Sequence, residues 1–236
     1  MKIKKLLPML LLAIMLSSCA TTGLNKFGAE LGVQDNPLGF LPGQEPIRLP
    51  YTSTVKYFGY VEPGQEPDAT IDGKKIYYLY VWVPLVAPEI GVRMFSPVAD
   101  LATPEEGDIV SENYLDGIAN DPESYFDTWI SFERATSIIN PEDIKSNIDT
   151  TSWIKYATND DSSEMPKQPS GSSYNSLMRL EASNEALVRG LYRVGFTTYK
   201  HGEVRGSFYA EIGSPVELPG VAVAKTTDEI LNLISE

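Results

Sequence analysis

An all-β fold, an antiparallel β-sandwich with a few short helices, is what this sequence predicts, and three observations carry it. Runs of aromatic and β-branched residues recur at 55–61, 76–83, 92–96, 126–132, 187–199 and 204–212, separated by Pro- and Gly-rich punctuation. Along 188–198 the alternation is clearest: Val188, Gly190, Tyr192, Val194 and Phe196 share one face, while Arg189, Arg193 and Thr197 share the other. One face packs and one meets water. Helical periodicity is confined to a few brief stretches.

The elements follow in order. Residues 20–50 are rich in Thr, Gly, Asn and Pro and read as a spacer, with weak helix near 25–32. The stretch 77–87 is too short to span a bilayer, which takes about 20 apolar residues, and it contains Pro84; it reads as a buried strand. Asn140 as N-cap and Pro141 at the first helical position open one helix. The loop 158–173 is polar, Ser-rich and long, the kind that is functional or disordered. Tyr199-Lys200-His201-Gly202-Glu203 turns the chain into 204–212, where Phe208, Ala210 and Ile212 continue an inward stripe, so the two strands are expected to pair as a hairpin. A last helix opens at Thr227, with Ile230, Leu231 and Ile234 at helical spacing.

The N-terminus reads as a bacterial lipoprotein signal. Lys2, Lys4 and Lys5 precede an apolar core at 6–16, and Leu16-Ser17-Ser18-Cys19 closes it with the single cysteine of the chain. Residues 1–18 would be removed and Cys19 would carry lipid, followed by a tether (19–50) and one domain (51–236). Stable anchoring takes more than one acyl chain, as a triacylated cysteine supplies. Ala20 after the cysteine suits onward sorting to the outer membrane, at the cell surface or on the periplasmic face. An uncut leader is the competing reading. With Cys19 lipidated, no thiol remains for a disulfide, for zinc or for nucleophilic catalysis.

Composition narrows the function classes. The formal net charge of −13 becomes −16 once the three leader lysines are gone. Such a surface repels nucleic acid and attracts divalent cations and basic partners. One histidine and one cysteine exclude a zinc or copper cluster, so any metal is a hard, oxygen-seeking cation. Asp127, Asp160 and Asp161 supply carboxylates, and Thr128 and Tyr174 add hydroxyl or carbonyl oxygens. The plainer reading leaves Asp160 and Asp161 as solvating charges on a loop. Asp127 argues against it, because a charge between Phe126 and Trp129 is costly if buried unpaired.

Four blocks resemble the family of the major surface lipoprotein of Leptospira, also called the haemolysis-associated protein. They are Tyr57-Phe58-Gly59-Tyr60-Val61-Glu62-Pro63-Gly64-Gln65; Tyr77-Tyr78-Leu79-Tyr80-Val81-Trp82-Val83-Pro84 with Gly91-Val92-Arg93-Met94; Phe126-Asp127-Thr128-Trp129-Ile130; and Tyr174-Asn175-Ser176-Leu177 with 187–199 and 202–208. Order and approximate spacing hold across 50–220. The resemblance implies a jelly-roll β-sandwich anchored in the outer membrane, one calcium site, and binding to host extracellular matrix. By motif match the calcium ligands are Asp127, Thr128, Asp160, Asp161 and Tyr174. The chain departs from the family at Asn159-Asp160-Asp161-Ser162-Ser163-Glu164, where the family carries a longer aspartate run, and in its short C-terminal tail.

Three functions follow from different classes. The first is a calcium-binding, adhesin-like module meeting an extracellular protein or glycan, with Tyr125, Trp129 and Trp153 exposed around an acidic pocket as its binding surface. The second is a structural, membrane-organising lipoprotein without a specific ligand. The third, a carbohydrate-active enzyme, would use two of Glu133, Glu203 and Glu211, but no nucleophile elbow, phosphate loop or zinc motif is present. His201 in a Lys-His-Gly turn reads as solvent-exposed. A non-enzyme is expected.

Overall fold

The computed structural model describes residues 33–36, 47–50, 52–98, 101–161, 165, 167–182, 185–199 and 202–235. The leader, Cys19, most of the tether, the weak helix at 25–32 and His201 lie outside them. The elements are β1 (Val33–Asn36), β2 (Ile47–Pro50), β3 (Thr52–Val61), β4 (Ala69–Ile71), β5 (Lys74–Val83), β6 (Glu89–Phe95), β7 (Ile109–Val110), α1 (Tyr114–Asn120), β8 (Thr128–Ala135), α2 (Pro141–Asn147), β9 (Trp153–Asn159), β10 (Met178–Glu181), β11 (Gly190–Thr198), β12 (Gly206–Ser214), β13 (Ala222–Ala224) and α3 (Thr227–Ser235).

Apart from the small β1–β2 ribbon, the strands form two sheets. One runs β10-β6-β12-β3-β7; the other runs β13-β5-β11-β8-β9, with β4 also paired to β5. The fold is therefore largely β-sheet with three short helices among the described residues. Period-two alternation gives each sheet an apolar inner face. Tyr57, Val92, Met94, Phe208, Ala210 and Ile212 of the first meet Tyr77, Leu79, Val81, Phe132, Tyr192, Val194 and Phe196 of the second in one core. The rings of Phe196 and Phe208 lie 4.9 Å apart across it.

That contact corrects the hairpin expected of 187–199 and 204–212. The two strands lie in different sheets and face each other. Two apolar stripes pack as well across a core as side by side, and alternation alone does not choose. Gly206 turns the chain between the sheets at φ +99°, where an added Cβ would overlap the Ser124 carbonyl. The buried strand expected at 77–87 also ends early, at Val83, because Pro84 cannot continue a ladder; Leu85 and Val86 are exposed, while Ala87 is buried.

The outer faces are covered unequally. Phe58, Phe95 and Tyr209 of the first sheet pack under Val98, Tyr114, Met165 and Tyr174. On the second sheet α2 and α3 cover Trp82 and Leu191, leaving the start of β8 open on that side. The sequence expected both of these helices. Asn140 is the N-cap of α2 with Pro at the helix start, and the Asp143 carboxylate accepts the backbone N–H of Asn140 at 2.8 Å and of Ile139 at 3.2 Å. Those bonds hold the Asp143 carboxyl below its usual value. A lowered carboxyl stabilises the fold above its unfolded value and loses that contribution as pH falls through the folded one. Asp143→Ala is expected to raise amide exchange in α2 at neutral pH, with the difference from wild type vanishing in acid.

Candidate functional site

Strand registers sort the loops to two poles. Gly206 pairs with Val61, Thr198 with Thr128 and Phe196 with Tyr77, so the end of β3 and β11 and the start of β5, β8 and β12 share one pole. The loop after β9 returns there, since Ile130 pairs with Asn159. The pole therefore gathers residues 127–129, 159–161 and 167–175, which are distant in sequence.

Asp127 lies just before β8. Its carboxylate accepts from Gln168 Nε2 at 3.0 Å and Ser172 Oγ at 3.1 Å, and its carbonyl accepts the Tyr199 N–H at 2.8 Å. Thr128 points inward and is buried; its hydroxyl donates to Asn175 Oδ1 at 3.0 Å. Asp161 forms an antiparallel bridge with Asn175. Burial foremost, reinforced by the Asp161 and Asp127 carboxylates, pushes the Asp160 carboxyl above its usual value. Asp160 thus lies within electrostatic reach of Asp161 and Asp127. Among the described residues no three His, Cys, Asp or Glu side chains converge tightly enough to form a metal cage alone.

Tyr174 plays a different part from the hydroxyl ligand that the sequence allowed. Its ring is buried edge-on to Phe95 at 5.3 Å, its hydroxyl reaches the Pro97 carbonyl at 3.4 Å, and burial, then Tyr125, pushes that hydroxyl up to about 12. Its hydroxyl is thereby turned away from the aspartates. Sequence reading missed Asn175 and Gln168, whose amides line the same space. Neutral amides in a Ser-rich loop carry no charge signal, although Asn175 directly follows Tyr174. Among the described residues, Asp160 Oδ1 and Gln168 Oε1 are both buried without a hydrogen-bond partner.

The three aromatics expected to form one surface are separated. Trp129 points outward into a cavity of about 280 Å³ whose lining includes Asp72, Lys74, Glu133, Lys155 and Tyr199. Lys155 Nζ lies 5.8 Å from the Trp129 ring, so the pocket is of mixed charge rather than acidic. Trp153 is instead half-buried, stacked 3.9 Å from the Arg193 guanidinium and packed toward the α2–α3 side. Tyr125 is half-buried beside Tyr174. Alternation decides this: Trp129 faces outward on β8, whereas Trp153 opens β9 opposite Ala135, at the other pole.

The carboxylates considered for acid and base work are also apart. Glu133 is bound by Arg193 at 2.7 Å on the second sheet, and Glu211 by Arg93 at 2.8 Å on the first. Glu203 accepts the Gly64 N–H at 2.5 Å. None of them forms the facing pair that glycoside hydrolysis requires.

No curated protein matches the sequence. A family model described as the surface lipoprotein of the Spirochaetales order, Lipl32, matches residues 45–223, which include both sheets, the acidic loop and the Trp129 pocket. The chain belongs to that family of non-catalytic surface lipoproteins.

Proposed function

We propose that this is a calcium-binding, adhesin-like module, anchored to the outer membrane by lipid on Cys19 and comprising residues 51–236 after a tether. The observation that carries the reading is the division of three consecutive residues. Asp127 and Thr128 turn toward the acidic loop while Trp129 turns into the outer pocket, and Asp127 O holds the Tyr199 N–H beside that pocket. A cation ordering the loop would thereby steady the wall that a partner meets.

The donor set fits calcium. Asp127, Asp160 and Asp161 would hold the ion through carboxylates, with Thr128 and the Tyr174 carbonyl adding oxygens. The buried acceptors Asp160 Oδ1 and Gln168 Oε1, which no hydrogen bond among the described residues satisfies, are what a hard cation compensates. Asn175 Nδ2 is likewise unpaired, and a half-turn of that amide presents oxygen instead while Thr128 becomes the acceptor. When bound, the ion supplies charge neutralisation and loop order, not chemistry.

A jelly roll is the finer form of the fold that we favour. The main strands β3, β5, β6, β8, β9, β10, β11 and β12 support it, since β3-β12-β6-β10 and β5-β11-β8-β9 are the two interleaved four-strand orders of that topology.

Partner binding is tested with the lipid-free domain, with and without calcium, against matrix proteins and glycans. Binding to at least one is expected, and Trp129→Ala should abolish it while leaving the melting temperature within about 2 °C, since Trp129 is half-exposed. Absence of binding across both panels would leave the structural, membrane-organising reading in its place.

A further inference from the structure

We infer that the opposite pole of the two-sheet domain is a lipid-contacting surface, resting on the bilayer through Leu85, Val86 and Val216. The inference builds on the reading of Cys19 as the lipid anchor. Thr52, where the chain arrives from the tether, pairs with Ser214 at the end of β12, and Gly213 pairs with Gly91 near the start of β6. Val83 at the end of β5 pairs with Gly190 at the start of β11. The 84–88 turn, the segment after β12 and the incoming chain therefore share one pole. The cation loops and the Trp129 pocket occupy the other.

This pole presents exposed apolar side chains on a chain of net charge −13. Val86 is 67% exposed, Leu85 51% and Val216 46%, and Ile139, at 47%, joins them from the connection after β8. Single exposed apolar residues are ordinary, but Leu85 and Val86 are an adjacent pair on one turn, with Val216 and Ile139 at the same end. The turn is also held in place. Ala87 N–H donates to the Leu187 carbonyl at 2.9 Å and Pro88 O accepts from Ala182 at 2.9 Å, between flanking Pro84 and Pro88. Held in this way, the turn presents Leu85 and Val86 outward without having to be ordered on binding.

The incoming chain selects lipid as the occupant. Thirty-two residues lie between Cys19 and Thr52, and a chain of that length spans at most ~115 Å. A lipid on Cys19 confines the domain within that reach of the bilayer, and because the chain enters at this pole, tethering turns a weak apolar contact there into an intramolecular one. Glu217 beside Val216 argues against attraction to anionic headgroups, so the contact is apolar and forms on neutral lipid.

The full lipidated chain is reconstituted in phosphatidylcholine vesicles with a spin label at Val86→Cys or, as distal control, at Ile71→Cys. Accessibility to an aqueous paramagnetic reagent is expected to fall several-fold at 86 relative to the lipid-free protein and to stay unchanged at 71. With the label at Val216→Cys, Leu85→Asp with Val86→Asp should restore aqueous access while flotation with the vesicles persists. Flotation with residue 86 still fully accessible overturns the inference and leaves the anchor standing. Protection that scales with protein density rather than with lipid assigns the surface to a second copy of the chain and also overturns it. Failure of the unlabelled chain to float overturns the anchor reading together with this one.

Discussion

Calcium is expected to raise the melting temperature of the lipid-free domain by about 5–10 °C at a concentration 100 times its dissociation constant, equivalent to about 2.7 kcal/mol. The gain arises because the unfolded chain disperses Asp127, Asp160 and Asp161, whereas the folded pole assembles them around acceptors that lack donors. Asp160→Ala with Asp161→Ala should remove the calcium response while preserving the β spectrum. The same variant should lose little stability in chelator, since it relieves repulsion among the carboxylates. A melt unchanged between chelator and millimolar calcium would remove the metal from the proposed function. A double variant that fails to fold would make the loop structural instead.

Glu211→Ala should destabilise the domain by about 3–5 kcal/mol, the cost of leaving a buried cation without its counter-ion. Arg93 and Glu211 are both 0% exposed on the outer face of the first sheet, 2.8 Å apart, with the guanidinium 5.0 Å from the Phe95 ring. The neighbouring Lys56, opposite Glu211 in register, is engaged by Glu105 at 3.1 Å and Asp108 at 3.8 Å, so it does not replace Arg93 as partner. Urea denaturation should show a lower midpoint at unchanged slope. Replacing both partners, as Arg93→Met with Glu211→Leu, should recover most of the loss, because the desolvation of the two charges is then no longer incurred. A single variant as stable as wild type would show that water reaches the pair.

Reading by residue type succeeds and fails in a consistent way. Strands β3, β5, β6, β8, β11 and β12 are legible because each carries long aromatic and β-branched runs. Helix α1 was missed because Gly117 breaks its propensity; the structure needs that glycine where the Tyr60 ring packs against it. Strand β9, Trp-Ile-Lys-Tyr-Ala-Thr-Asn, hides because a bulge opposite Phe132 and Glu133 breaks its alternation. The aspartates of the proposed cation site announce themselves by charge, whereas Gln168 and Asn175 do not.

The sequence by itself determined the β content, the inward stripes and the family, all of which depend on side-chain chemistry and local period. Tertiary structure decided which stripes face one another, as with Phe196 and Phe208, and separated Trp129 from Trp153. It also turned the Tyr174 hydroxyl away from the aspartates, and set Leu85 and Val86 at one pole and the 159–175 loop at the other. The reason is that an alternating strand specifies a face but no partner. Partners are chosen by the register and crossing of strands far apart in the chain, which no local pattern encodes.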